Sequence, residues 1–331
     1  MNEGQFVAAH RAVAGMIDAA NHNASPLEHQ ADLWRLLGLA ENCLGHYEKA
    51  KAALNQALEL CYQNRTSTPE FTISILVELA DANLKQGLLD HAHRMLRRAM
   101  EVASKDLPPG HPRLASVHHS LGVLFWMQGN LSRAEKAFRT AVSILENSLG
   151  PDHADVAVTA SGLAGLLMMT RRHTEAIPLF EQSKTVFERD YGRRHPDTIG
   201  ATFALGTALM QSDPRKAELM LREAIAKWRA SQPERHPHMV KFLRALATAR
   251  FAQGDYREAA NLSRQALQMS KEIFGPEHPH AIAQIYEHAQ LLKDSRRGKE
   301  AAALKKDADR IRALKGYSDP GHHRIDILAL R

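Results

Sequence analysis

Cysteine is almost missing: Cys43 and Cys61 are the only two in 331 residues, without Cys-x-x-Cys spacing. That excludes a disulfide framework and suits a reducing compartment, where a free cysteine behaves as a small buried apolar residue. Aromatic residues are also few, 6% of the chain against 44% hydrophobic overall. The balance disfavours an aromatic-rich sandwich core and favours small and aliphatic residues closing contacts between helices. No run of about eighteen apolar residues occurs, so membrane insertion is not expected. The opening Met1-Asn2-Glu3 reaches His10 and Arg11 before any apolar core forms, which argues against a secretory leader. A soluble, cytoplasmic protein is expected.

An excess of one charge is missing too. With 43 basic and 37 acidic side chains the net charge is +6, spread along the chain, so no nucleic-acid partner is expected. The densest basic stretch, Arg296 to Lys315, is interleaved with Glu300, Asp307 and Asp309 and reads as a solvated helix face. No nucleophile elbow, phosphate loop, dinucleotide fingerprint or His-Glu-x-x-His is present. The nearest pattern, Gly162-x-x-Gly165, lies in an apolar segment where small residues serve close packing. The chain is therefore expected to be no enzyme, with no cofactor.

What is present is a repeat. A loop signature recurs as Gly110-His111-Pro112, Gly150-Pro151-Asp152-His153, Gly192-Arg193-Arg194-His195-Pro196, Glu234-Arg235-His236-Pro237 and Gly275-Pro276-Glu277-His278-Pro279. Successive histidines stand 42, 42, 41 and 42 residues apart. Nineteen histidines raise the question of metal, especially at His236-x-His238, His278-x-His280, His91-x-His93, His118-His119 and His322-His323. Zinc needs ligands converging from about four directions, whereas these recur one repeat apart, so they are expected to staple loops and no metal is expected.

Between the loops, each unit reads as helix, tight turn, helix. Turns fall at Gly45, Gly87, Gly129 and Gly254, where glycine accepts the left-handed conformation that ends a helix. Arg171 stands at that position in the fourth unit, and Asp213-Pro214 replaces it in the fifth. Second segments carry Ala50, Leu54 and Ala57, then Ala92, Leu96 and Ala99, then Ala134, Phe138 and Ala141 in register. Spacings of four and three put each trio on one helical stripe. First segments carry a large residue followed by a small one, as in Leu37-Gly38, Leu121-Gly122 and Leu205-Gly206, so a partner helix can seat closely. A unit this short cannot bury its own apolar face and must stack on its neighbours.

Trp34-x-x-Leu37-Gly38, Gly45-x-Tyr47-x-x-Ala50, Leu54 and Ala57 resemble the tetratricopeptide repeat. The period and the His-Pro loop resemble the longer variety found in kinesin light chain. The resemblance implies an all-α fold: a right-handed superhelical solenoid of antiparallel helix-turn-helix repeats. Units are placed at 31–70, 71–113, 114–155, 156–198, 199–238, 239–280 and 281–315. A half-unit or cap precedes them over 1–30, where Gly4, Phe6, Ala9 and Val13 match Gly45, Tyr47, Ala50 and Leu54 at an offset of 41. A tail follows over 316–331, with Ile325, Ile327 and Leu328 able to dock.

The resemblance also implies that the first helices line a concave face. Its expected peptide-binding residues are Arg35, Lys85, His119, Trp126, Met127, Met168, Met169, Phe203, Met210, Lys241, Arg244, Phe251 and Tyr286. Adaptable methionines and anchoring aromatics suit an extended peptide or amphipathic helix, and the cations suit a carboxylate. Trp126, Met168, Met210 and Phe251 equally suit packing between adjacent first helices, and both readings stand at this point. The expected function is a non-catalytic adaptor or scaffold binding a protein or peptide segment. The alternative is a regulatory or sensory module whose groove takes a peptide or small ligand and controls an effector. Exposed end faces would also permit a homo-oligomer.

Overall fold

The computed structural model describes residues 10–17, 25–63 and 67–317. They form a helical stretch at 10–17 and then fourteen helices, with no strand among them. The first helices of the units are α1 (Leu27–Cys43), α3 (Pro69–Lys85), α5 (Pro112–Met127), α7 (Ala154–Met169), α9 (Pro196–Leu209), α11 (Pro237–Ala252) and α13 (Pro279–Asp294). The second helices are α2 (Tyr47–Gln63), α4 (Leu89–Asp106), α6 (Leu131–Leu149), α8 (His173–Asp190), α10 (Pro214–Ser231), α12 (Tyr256–Phe274) and α14 (Gly298–Lys315). The protein is an all-α repeat solenoid. It divides into two compact units, residues 1–166 and 167–331.

Three of the seven helix pairs are locked by one recurring contact. A Cβ added to Gly38 would stand 2.6 Å from Leu54 Cγ, one on Gly122 would stand 2.9 Å from the Phe138 ring, and one on Gly206 would stand 3.1 Å from Leu221. The large residue of the second helix thus fills the notch left by the glycine of the first. Leu54, Phe138 and Leu221 are all fully buried, each contributing about 1.5–3 kcal/mol by transfer from water. In the first unit these contacts extend into a core of Ile73, Leu76, Leu79, Leu96 and Leu124. In the second the core gathers Ile199, Trp228, Phe242, Leu243 and Leu246.

The turns follow the chemistry of their residues. Gly87 takes φ +76, and its N–H reaches the Leu84 carbonyl at 2.9 Å while Leu88 N–H reaches Asn83 at 2.9 Å, satisfying carbonyls the helix leaves open. Arg171 adopts φ +60 and Arg296 φ +62, so the same turn forms there at a steric cost. In the fifth unit Asp213 Oδ1 instead accepts from Lys216 N–H at 3.0 Å, with Pro214 at the first helical position.

The loop histidines are caps. His111, His153, His195, His236 and His278 each accept through Nδ1 from the N–H two residues on, at 3.2, 3.1, 3.3, 3.1 and 3.2 Å. Proline follows four of them and has no N–H, so the ring serves the next orphan donor of the helix. This use requires the tautomer protonated on Nε2. Among the described residues, no group of three or more His, Cys, Asp or Glu side chains is placed to hold a metal.

At the N-terminal end, Ile17 packs against Leu33 beside Val13 and Trp34, and His10 meets Glu41 at 3.0 Å. Gly4, Phe6 and Ala9 of the expected half-unit lie outside the described residues. So do residues 318–331, including His322, His323, Ile325, Ile327 and Leu328. Among the described residues no helix is long and apolar enough to cross a membrane.

Candidate functional site

In the first unit α1, α3 and α5 lie side by side, bringing Arg35, Lys85, His119, Trp126 and Met127 onto neighbouring first helices. Their cations are engaged within the chain. Arg35 donates through Nη1 to Glu78 Oε1 at 2.7 Å and through Nη2 to Asp32 at 3.1 Å. Its guanidinium stands 5.5 Å from the centre of the Phe71 ring. Lys85 pairs with Asp81 Oδ2 at 2.9 Å, and Asn42 Nδ2 donates to that same oxygen at 2.9 Å.

Two acceptors in this row lack donors. Glu78 Oε2 and Asn42 Oδ1 are buried and make no hydrogen bond. Burial pushes the Glu78 carboxyl up to about 7, although Arg35 pulls the other way. Desolvation of a side chain only 16% exposed outweighs one ion pair here.

The apolar members divide. Trp126 is 8% exposed, edge-on to Phe138 at 6.5 Å, with its ring facing the bare Cα of Gly165. It is built into the core, as is Leu84. His119 stands edge-on to Phe138 at 5.5 Å. Met127 is half-buried against the same core.

In the second unit Met169 is exposed and Met168 half-buried, its sulfur 3.2 Å from His173 Nδ1. Phe203 tilts against Phe242 at 4.6 Å, and it and Met210 are half-buried against the core. Lys241 is half-buried. Arg244 is exposed and pairs with Glu287. Phe251 is half-buried, edge-on to Tyr256 at 5.1 Å. Tyr286 donates its hydroxyl to Asp309 at 2.5 Å. The row therefore presents partly exposed aromatic and methionine edges with a neutralised arginine.

Sequence reasoning missed Glu78 and Glu287. Each lies 43 residues beyond the arginine it neutralises. That shared offset, one repeat plus one residue, was the available signal.

Tetratricopeptide repeat profiles match residues 31–64, 71–147, 155–230 and 243–280. No curated protein matches the sequence. Among solved structures, the nearly identical TPR-like repeats named for kinesin light chain from Podosopora anserina are similar at 25% identity and TM-score 0.55. The match covers 63% of this chain and 99% of that one. The Rap protein complexed with competence and sporulation factor shares the fold at 12% identity and TM-score 0.65, over 86% of this chain and 77% of its own. The apo quorum sensor NprR from B. thuringiensis does so at 14% and 0.61, over 83% and 77%.

Proposed function

The chain belongs to the tetratricopeptide repeat family, and from that premise we propose that it is a non-catalytic, cytoplasmic adaptor or scaffold that binds a peptide segment along its first helices. The observation that carries this reading is the pair of unmet acceptors, Glu78 Oε2 and Asn42 Oδ1. A buried acceptor without a donor is costly, and native structures rarely leave one without a use. A peptide laid along α1 and α3 supplies backbone N–H donors once the side chains covering these acceptors part; the second unit, taken by itself, offers the half-buried Phe203, Met210 and Phe251 as apolar seats.

This arrangement changes the expected ligand chemistry. Arg35, Lys85 and Arg244 already hold carboxylates of their own chain, so a ligand carboxylate must displace one. Donor-rich or cationic peptides are favoured over acidic ones. The names of those structures record a quorum sensor and a Rap protein complexed with competence and sporulation factor, and their likeness to this chain supports the scaffold through its fold.

The test is selection from a diverse peptide library on the purified chain. Enriched peptides are expected to bind a folded Asn42→Leu/Glu78→Leu variant at least tenfold more weakly, and a folded Met168→Glu/Phe251→Glu variant more weakly as well. Equal binding by the folded Asn42→Leu/Glu78→Leu variant overturns the assignment to the first unit. No enrichment at all overturns the peptide-binding reading.

A further inference from the structure

The seam between successive repeats changes character near the end of the solenoid. At the earlier seams a large residue of one second helix is followed, 25 residues on, by a large residue of the next first helix: Leu54 by Leu79, Phe138 by Leu163 and Leu221 by Leu246. Leu54 and Leu79 share one core, and Leu221 and Leu246 another. Between the sixth and seventh units the same two positions carry Ser263 on α12 and His288 on α13. His288 Nδ1 lies 3.0 Å from Ser263 Oγ, and both residues are 4% exposed. Exchanging two buried apolar side chains for a hydroxyl and an imidazole gives up transfer from water in return for one hydrogen bond, so packing alone does not favour it.

What the exchange adds is a titratable group inside the seam. The neutral ring can bond Ser263 in either tautomer, because a hydroxyl both donates and accepts. The protonated ring puts a charge there. Burial is the largest influence on His288 and holds it below its ordinary value of 6.5. Glu300 of α14 favours the charged ring, while Arg297 at the start of α14 and Arg264 and Lys271 of α12 oppose it. Glu300 is itself paired with Arg297. The surrounding packing is thin, since α14 buries only Ala301 and Ala308, and Leu267, Ile282 and Ile285 form a small core with Ala308.

We propose that Ser263 and His288 form an acid-sensitive latch: protonation of the buried imidazole undocks the seventh repeat, α13 and α14, from α12. Undocking uncovers Leu267, Ile282 and Ile285 and parts Arg244 of α11 from Glu287 of α13. It therefore changes both the apolar surface and the charge presented at this end of the array. The sign follows from the lowered imidazole: docking is at full strength above about pH 6.5 and weakens as pH falls. A ring that stays neutral while docked and titrates near 6.5 when undocked raises the undocking constant by at most about thirtyfold at pH 5.

Hydrogen exchange of the full chain at pH 7.5 and pH 5, corrected for intrinsic exchange rates, tests this. Amides of α13 and α14 are expected to lose protection at least fivefold at pH 5. His288→Gln keeps a partner for Ser263 without titrating, and Ser263→Leu/His288→Leu restores the apolar pair of the other seams. In each variant the loss is expected to be at least threefold smaller than in wild type. The His278 cap of α13 is untouched in both, so a loss that persists undiminished belongs to other histidines and overturns the proposal. A wild type whose α13 and α14 amides keep their protection at pH 5 overturns it as well. If one variant does not fold, the other decides.

Discussion

Replacing Glu78 by glutamine should make the protein more stable at neutral pH, and the advantage should grow as pH rises. The wild-type carboxyl is held at about 7 in the folded state because burial penalises its charge more than Arg35 rewards it. In the unfolded chain it titrates near 4.5. The folded state thus binds the proton more tightly, and the stability this contributes is complete below about pH 4.5 and lost as pH rises through about 7. At about 1.4 kcal/mol per unit, the full shift corresponds to roughly 3 kcal/mol. Water reaching the exposed part of the side chain and relaxation around it reduce this, so about 1–3 kcal/mol is expected. Glutamine keeps the size of the side chain, keeps an acceptor for Arg35 and does not titrate. Urea unfolding at pH 5, 6, 7 and 8, in a Trp228→Phe background so that Trp34 and Trp126 report the first unit, measures the difference. A gap between wild type and Glu78→Gln that stays flat over this range refutes the reasoning. A wild type that gains on the variant as pH rises would mean that Arg35 dominates over burial.

Two glycines in first helices should respond oppositely to alanine: Gly122→Ala drives a Cβ to 2.9 Å from the Phe138 ring and should cost about 1–3 kcal/mol by overpacking. Gly200→Ala, in α9 with nothing within 4 Å, should gain about 0.5–1 kcal/mol by restricting the unfolded chain, and denaturant midpoints that move the same way contradict both. Arg171→Gly should relieve the φ +60 turn and stabilise by about 0.5 kcal/mol, whereas a lowered midpoint would show that the arginine earns its place through contacts. Burial, reinforced by Lys241, holds His236 below its ordinary value of 6.5. The stability it contributes is therefore present above about pH 6.5 and lost as pH falls through the folded value, where protonation of Nδ1 also removes the cap. His236→Asn keeps a capping acceptor and should flatten the acid limb between pH 6.5 and 5, and an unchanged slope would assign that limb to other groups.

The helix pairs were legible because their contacts are local. Gly38 meets Leu54, Gly122 meets Phe138 and Gly206 meets Leu221, so notch and filler sit within one unit and repeat with it. The turn departures were legible for the same reason: Arg171 and Asp213 stand where a glycine belongs, and the backbone answers with a left-handed arginine and an aspartate cap. The inner row was harder, because its partners lie one repeat away. Arg35 and Arg244 look like free cations in the sequence, yet each is neutralised by a glutamate 43 residues on. Trp126 and Phe251 show a deeper ambiguity. A groove-lining aromatic and one packed between neighbouring helices share the same spacing, and burial alone separates Trp126, which is core, from the half-buried Phe251. Polar valence discriminates better than burial. Glu78 Oε2, Asn42 Oδ1 and Asn83 Oδ1 are among the buried side-chain atoms left unmet. All three lie on α1 and α3. A binding surface that leaves such valences open trades stability for occupancy. The helix α3 is therefore the place where removing a polar group should raise stability and abolish binding together, a pairing of effects that a purely structural side chain does not produce.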